Sequence, residues 1–315
     1  MSGDDYVGWS DVIGQKDVKN TLMSTIITPL RTRGCNLPFT SVLICGPPGT
    51  GKTLLRQAIE HELGDVVSFH SKHSSDFISK GFSKQLLKSF LQQSSEIRPA
   101  VIWIDDLFST DGMFPCAFCR GLEGENLQRY ITCWMNTNDV NKEGVVIVGS
   151  TQNPWVADES LIQSFHHHVY MGKMEEESRY RMIQRSLKDE IHVLKEGDLW
   201  KIAQHTNSFT GADMQILIRS ACSQPLRRIT KSHHFKKVSK ARDNPGELKD
   251  IFYKPCDAND EGAIAMPWTD VPADRLILPV ITMDDFLQAM TSTRSSVRDE
   301  EWQEIYNFKS VFSQS

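Results

Sequence analysis

The eight residues Gly46-Pro47-Pro48-Gly49-Thr50-Gly51-Lys52-Thr53 match the pattern G-x-x-x-x-G-K-[ST] and constrain this chain more than any other stretch. The apolar run Ser41-Val42-Leu43-Ile44-Cys45 precedes them and a helical pattern over 54–63 follows, which is the strand, loop and helix context the motif requires. Glycines let successive backbone N–H groups turn towards one anion, and the helix N-terminus adds the positive end of its dipole. Lys52 can reach the terminal phosphates of a nucleotide, and the Thr53 hydroxyl can ligate Mg²⁺.

With 315 residues, 39% hydrophobic and 24% charged, the chain can bury a sizeable core and is long for one domain, so two are expected. A net charge of -5 carries no nucleic-acid signature. No apolar run approaches the roughly 18 residues of a membrane span, and the acidic start Met1-Ser2-Gly3-Asp4-Asp5 is unlike a secretory signal, so a cytoplasmic protein is expected. Seven scattered cysteines fit reduced thiols better than a disulfide framework. Cys116 and Cys119 form a C-x-x-C pair, but without a second Cys/His pair at zinc spacing they read as a loop carrying two thiols.

Val18, Leu22 and Ile26 recur every four positions and predict a helix ending near Pro29, after an edge turn Asp11-Val12-Ile13-Gly14. Beyond the phosphate loop, a short strand is expected over 66–69, ending before polar Ser71-Lys72-His73, and a helix over 77–91. Val101-Ile102-Trp103-Ile104, ending in Asp105-Asp106, and Val145-Val146-Ile147-Val148-Gly149, running into Ser150-Thr151-Gln152-Asn153, read as strands buried on both faces. This alternation predicts an α/β fold with a parallel sheet whose ligands gather beyond the strands' carboxyl ends. After about Met174 the strand signal fades. Helices are expected over 175–188, 197–206, 211–229 and 283–293, the third opening with Thr210-Gly211-Ala212-Asp213 and kinked or ended by Pro225. The charged stretch 234–261 reads as a loop or an insertion.

Two carboxylates at the end of a buried strand, downstream of a phosphate loop, suit a nucleoside-triphosphatase. Asp105 would hold Mg²⁺, through water or through the Thr53 shell, and Asp106 would orient or deprotonate the attacking water. Thr151, Gln152 and Asn153 could supply a polar group to the γ-phosphate, or they could form only a polar turn before Pro154.

This order of motifs resembles the AAA ATPases. Trp9-Ser10-Asp11-Val12, Asn153-Pro154-Trp155, Gln224-Pro225-Leu226-Arg227, Asp260-Glu261-Gly262-Ala263-Ile264 and Trp268-Thr269-Asp270 narrow the resemblance, within the meiotic clade, to the vacuolar protein sorting-associated protein 4 family, which disassembles ESCRT-III polymers. The resemblance implies a P-loop core with a parallel sheet over 1–173, then a helical lid over 174–315 carrying a β insertion at about 234–279 and a C-terminal helix. It further implies a hexameric ring with ATP between subunits, threading a tail of its substrate through the pore. By position, Ile13 and Gly14 would touch adenine, as would Gly211 and Asp213 from the lid. Pro48, Gly49, Thr50, Gly51, Lys52, Thr53 and Leu54 would hold the phosphates, Asp105 with Thr53 the metal, and Phe82 the substrate in the pore. The implied partners are ESCRT-III-type subunits and a homo- or hetero-oligomeric ring, with membrane contact only peripheral, at endosomes, and no nucleic acid. The family's N-terminal recruitment domain has no counterpart ahead of Trp9, so recruitment is expected through another subunit or a longer chain.

Four departures from the family pattern bear on turnover. Asp106 stands where the family has the catalytic Glu, and a displacement of the carboxylate by more than an ångström can cost about 100-fold. Gln152 replaces the sensor Asn. Gln163 and Ser164, ahead of Phe165, replace paired arginine fingers, and such an arginine is worth roughly 10³ to 10⁵ in rate in related systems. The pore motif is altered to Gly81-Phe82-Ser83. The expectation is competent ATP binding, slow hydrolysis as a homomer, and better hydrolysis in a mixed ring. His166-His167-His168 read as a solvated or packed run rather than as replacement cations. A pseudo-ATPase holding a structural or regulatory position is the alternative, and microtubule severing a more distant one.

Overall fold

Segments that are apolar at consecutive positions must be covered on both faces, and here they assemble the centre of a parallel sheet. The computed structural model describes residues 7–32, 37–78, 83–108, 117–137, 142–157, 159–240 and 250–312. The chain opens with α1 (Lys16–Leu22), a π-helical turn (Met23–Ile27) and α2 (Thr28–Arg31). There follow β1 (Thr40–Cys45), α3 (Lys52–Leu63), β2 (Ser68–His73), α4 (Ser75–Ile78), α5 (Lys84–Ser94) and β3 (Ala100–Asp105). The first half closes with α6 (Ala117–Asn136), β4 (Val145–Thr151), α7 (Glu159–Gln163) and β5 (His167–Tyr170). The five strands are parallel, in the order β2-β3-β4-β1-β5.

The pleat sorts side chains by alternation. Val42, Ile44, Val101, Trp103, Val146 and Val148 face the apolar stripes of α1 and α3, while Leu43, Ile102, Ile104, Val145 and Ile147 face α5, α6 and α7. Burying each Leu, Ile or Val stabilises the fold by about 1.5–3 kcal/mol. Register then fixes where the loops emerge: Cys45 pairs with both Thr151 and Tyr170, and His73 with Asp105, so the phosphate loop, Asp106 and Gln152 leave the sheet on one edge.

The chain divides into two compact units: Met1–Glu175 with Ser208–Ala212 and Ser295–Ser315, and Glu176–Asn207 with Asp213–Arg294. The second contains α8 (Glu176–Ser186), α9 (Glu196–His205), most of α10 (Gly211–Lys231) and α11 (Met283–Ser292). Tyr180 stacks on Trp200 at 4.4 Å, Arg179 Nε donates to the Ala203 carbonyl (2.9 Å), and Arg228 pairs with buried Asp285 (2.8 Å). Asp285 also closes a capping box with Thr282 at the start of α11. Between α10 and α11 lie antiparallel strands β6 (His234–Lys240), β7 (Asp250–Pro255) and β8 (Ala263–Ala265), ordered β7-β6-β8, with Phe235 buried against Ile229 and Val271. A last helix, α12 (Asp299–Phe312), belongs to the first unit, where Trp302 and Ile305 are buried and Phe308 meets Tyr170 edge-on at 6.1 Å.

The structure corrects several sequence expectations. β2 starts later than expected and runs through Ser71-Lys72-His73, because an edge strand is held by backbone pairing to β3 while its side chains stay wet. The helix expected over 77–91 restarts at Ser83, whose hydroxyl accepts the Leu86 N–H. Pro225 does not end α10: it lies inside the helix on a buried face with Ala221, Gln224 and Ile229, where packing offsets one lost hydrogen bond. The charged stretch 234–261, read as a loop or an insertion and, by the resemblance, as a β insertion, carries strands, one buried ring sufficing to anchor a small sheet. The helices α6 and α12 and the strand β5 are additions.

Candidate nucleotide site

The phosphate loop continues the sheet for one residue, the Gly46 N–H donating to the Thr151 carbonyl (3.1 Å), and then turns. The turn requires glycine: Gly49 and Gly51 have φ of 77° and 100°, and a Cβ on Gly49 would stand 2.6 Å from Thr210 Oγ1. The Thr50 hydroxyl closes the loop on the Pro47 carbonyl (2.8 Å). No side chain caps α3, so the N–H groups of its first turn remain available to an anion.

Lys52 extends over this loop, its ammonium donating to the carbonyls of Gly46 (2.6 Å) and Pro47 (2.9 Å). Burial pulls its pKa down to about 8, with the Asp106 and Asp105 carboxylates acting in the opposite direction. An incoming polyphosphate would add the negative charge that this half-desolvated cation lacks.

A single hydroxyl links the Asp105 carboxylate to the Asp106 backbone. Ser150 Oγ donates to Asp105 Oδ1 (2.8 Å) and accepts the Asp106 N–H (3.2 Å). Asp105 Oδ1 also takes the Trp103 indole N–H (2.7 Å), while Oδ2 faces Arg56 Nε at 3.6 Å. Asp106 adopts φ 53°, in the left-handed region, with its carbonyl held by the Ser74 hydroxyl (2.7 Å). Its Oδ2 lies 4.0 Å from His73 Nε2, and the Ser75 N–H donates to His73 Nδ1 (3.2 Å). Among the described residues no three His, Cys, Asp or Glu side chains cluster. Mg²⁺ takes one or two protein oxygens and completes its shell with phosphates and water; Thr53 in the first turn of α3 and Asp105 at the end of β3 could offer them.

The edge turn is stitched from within. Lys19 Nζ donates to the carbonyls of Trp9 (2.8 Å) and Val12 (3.0 Å), and Gln15 Nε2 fastens the turn to the Gly172 carbonyl (2.8 Å) beyond β5. Gly14 has φ 79°, which lets Ile13-Gly14 bend ahead of α1. On the other flank the Ala212 N–H donates to the Gly49 carbonyl (3.1 Å), and a Cβ on Gly211 would touch that oxygen at 3.4 Å. The residues from Gly46 to Leu54, with Asp105, Asp106 and Gly211, are thus brought together. Gln152 leaves β4 half-buried, and Asp213 is buried in the first turn of α10 in the second unit. Phe82, and Cys116 of the C-x-x-C pair, lie outside the described residues. Arg56, Trp103, Ser150 and His73 escaped the sequence reading; Ser150, the first polar residue after an apolar run, was the visible signal.

At the finger positions, Gln163 Nε2 donates to Glu159 Oε1 (3.0 Å) within α7, and the Ser164 hydroxyl donates to the Ser160 carbonyl (2.7 Å). The histidine run that follows is tethered at the surface, with His166 and His167 exposed and His168 half-buried: His166 Nδ1 accepts the Ser41 N–H (3.1 Å), and His168 Nε2 meets the Ile162 carbonyl (2.9 Å). Burial, and then the charges of its two histidine neighbours, hold the His167 pKa below the usual histidine value, which disfavours a cation there.

Residues 42–173 match the ATPase family associated with various cellular activities (AAA), residues 197–240 the AAA+ lid domain, and residues 253–312 the Vps4 C terminal oligomerisation domain. Vacuolar protein sorting-associated protein 4B of Pongo abelii is 33% identical, over 98% of this chain and 70% of that protein. Vacuolar protein sorting-associated protein 4A of Rattus norvegicus is 32% identical, over 98% and 71%. The fold is similar to that of the FIGL-1 AAA domain crystallised with ADP, with a TM-score of 0.71 and 22% identity over 99% of this chain and 92% of that one.

Proposed function

The chain belongs to the vacuolar protein sorting-associated protein 4 family of AAA ATPases, and from that premise we propose that it binds ATP in a ring, hydrolyses it slowly alone, and remodels ESCRT-III-type polymers at endosomal membranes. Its family makes it an ATP hydrolase of the AAA type, and the match over 253–312 makes it an oligomer-former. The N–H groups of residues 49–54 and the Lys52 ammonium bind the phosphates, Thr53 and Asp105 hold Mg²⁺ for turnover, and Asp106 orients the attacking water, with Gln152 as sensor. Ile13, Gly14, Gly211 and Asp213 enclose the adenine, and Phe82 grips the substrate. Recruitment to endosomes runs through partners.

One observation carries the reading of slow turnover. The phosphate loop is intact, while Gln163 and Ser164, where the family places arginines, are neutral and bonded within α7. The test is ATP binding and steady turnover on the same purified sample, for the natural chain and for a triple variant Asp106→Glu, Gln163→Arg, Ser164→Arg. The natural chain is expected to bind and barely turn over, and the variant to gain roughly 10³-fold or more in turnover at unchanged affinity. Fast turnover by the natural chain sinks the proposal. A second reading, a pseudo-ATPase that holds a structural or regulatory position, is favoured by the tethering of Asp106 through both its N–H and its carbonyl. Binding without any gain in the triple variant would select it.

A further inference from the structure

Arg56 lies four residues beyond Lys52 on α3, so both cations share one helix face, with Arg56 one turn farther from the loop. Its Nη1 is engaged with Glu60 (3.0 Å) and Ser71 (3.4 Å), whereas its buried Nε has no hydrogen-bond acceptor among the described residues and faces Asp105 Oδ2 at 3.6 Å. Both partners are largely shielded, their side chains 18% and 23% exposed, so the pair is felt more strongly than one in open water. A carboxylate offers about four acceptor positions. Trp103 and Ser150 already take two on Oδ1, and the guanidinium stands before Oδ2.

From this geometry we infer that Arg56 supplies at Asp105 the positive charge that a bound divalent cation would otherwise supply, so that the chain holds ATP with little dependence on Mg²⁺. The inference rests on the nucleotide reading and deepens it. Lys52 and Arg56 stand against Asp105, Asp106 and the more exposed Glu60, one negative charge in excess; without Arg56 the excess beside a polyphosphate would rise to two, which a divalent cation would have to offset. With Arg56 present, a cation arriving at Asp105 meets a guanidinium of like charge. Holding nucleotide and turning it over are thereby separated: the first draws on Lys52 and Arg56, and the second still draws on Thr53, Asp105 and a metal that must displace Arg56 from Asp105.

The experiment is the affinity of the intact chain for mant-ATP, by fluorescence anisotropy, in excess Mg²⁺ and in EDTA. For the natural chain the two affinities are expected to agree within about threefold. Arg56→Ala should lose about tenfold in EDTA and recover most of it in Mg²⁺, the scale of one partly buried charge contact, and Arg56→Lys should behave like the natural chain. A tenfold loss on chelation by the natural chain overturns the inference, as does an Arg56→Ala variant with unchanged metal dependence. Folding is not in question for Arg56→Lys, so its loss of metal-free binding, equal to that of the alanine variant, would also overturn a role for charge. No binding under either condition overturns the nucleotide reading itself.

Discussion

Lys52 is held in two conflicting ways: its ammonium caps two loop carbonyls, and its surroundings cost it part of its charge, with the pKa lowered from 10.5 to about 8. Below pH 8 the lysine is protonated in both the folded and the unfolded chain, so the folded state carries the full cost, on the order of 3 kcal/mol. Between pH 8 and 10.5 the folded state has released the proton and the unfolded state has not, so stability rises with pH across that window. Phosphate binding runs the other way, because only the ammonium attracts the anion. ATP affinity should be flat up to pH 8 and then fall about tenfold per unit, while Lys52→Met binds poorly at every pH and gains no stability from pH 8 to 10 through this group. Isothermal titration and thermal melting over pH 7–10 check both halves. An affinity still flat at pH 9.5 would show that the loop does not tax the lysine's charge.

At the scale of elements, α12 shows how a helix can be anchored by one ring. Trp302 is 1% exposed and stacks near Tyr306 at 6.5 Å, yet its buried indole Nε1 has no acceptor among the described residues. Truncation and polar deletion therefore separate: Trp302→Ala should cost about 3–5 kcal/mol, whereas Trp302→Phe, which keeps most of the apolar volume and removes the unpaired N–H, should cost under about 1.5 kcal/mol. Denaturant midpoints give both, and similar losses in the two variants would mean that α12 is not seated through this ring. The same helix shows where sequence reading stopped. β1, β3 and β4 were legible because strands covered on both faces must be apolar at nearly every position. Asp105 and Asp106 were legible because such a run ends abruptly in charge. β5 was not, and β2 only at its first two residues, since edge strands are held through the backbone and their His-rich side chains carry no alternation. Trp302 and Ile305 give only two buried contacts over α12, too few to announce a period against Asp299, Glu300 and Glu301. At the site the loop could be read outright, but the Trp103, Ser150 and Arg56 contacts to Asp105 join three separate elements, and only the folded register brings them together.

For the whole molecule, the residues of the proposed mechanism would serve different sites. On the proposed reading Lys52, Thr53, Asp105 and Asp106 would act on the nucleotide this chain holds and arginine fingers on a neighbour's, so Gln163 and Ser164 would impair the next subunit rather than their own. A homomer would then lack fingers at every interface, while in a mixed ring a neighbour could lend arginines to this chain's site. The prediction follows from that asymmetry. Mixing this chain with a vacuolar protein sorting-associated protein 4 relative whose own phosphate-loop lysine is replaced by alanine, but whose arginines are intact, should raise turnover roughly 10³-fold over this chain alone. The donor cannot hydrolyse, so any gain belongs to the site built on Gly46 to Thr53. Adding Lys52→Met to this chain must abolish the gain, and removing the donor's arginines must do the same. Turnover unchanged on mixing, with co-assembly verified by light scattering, would mean that Asp106 rather than the missing fingers limits the site, and Asp106→Glu in the same mixed ring would then restore turnover by about 100-fold.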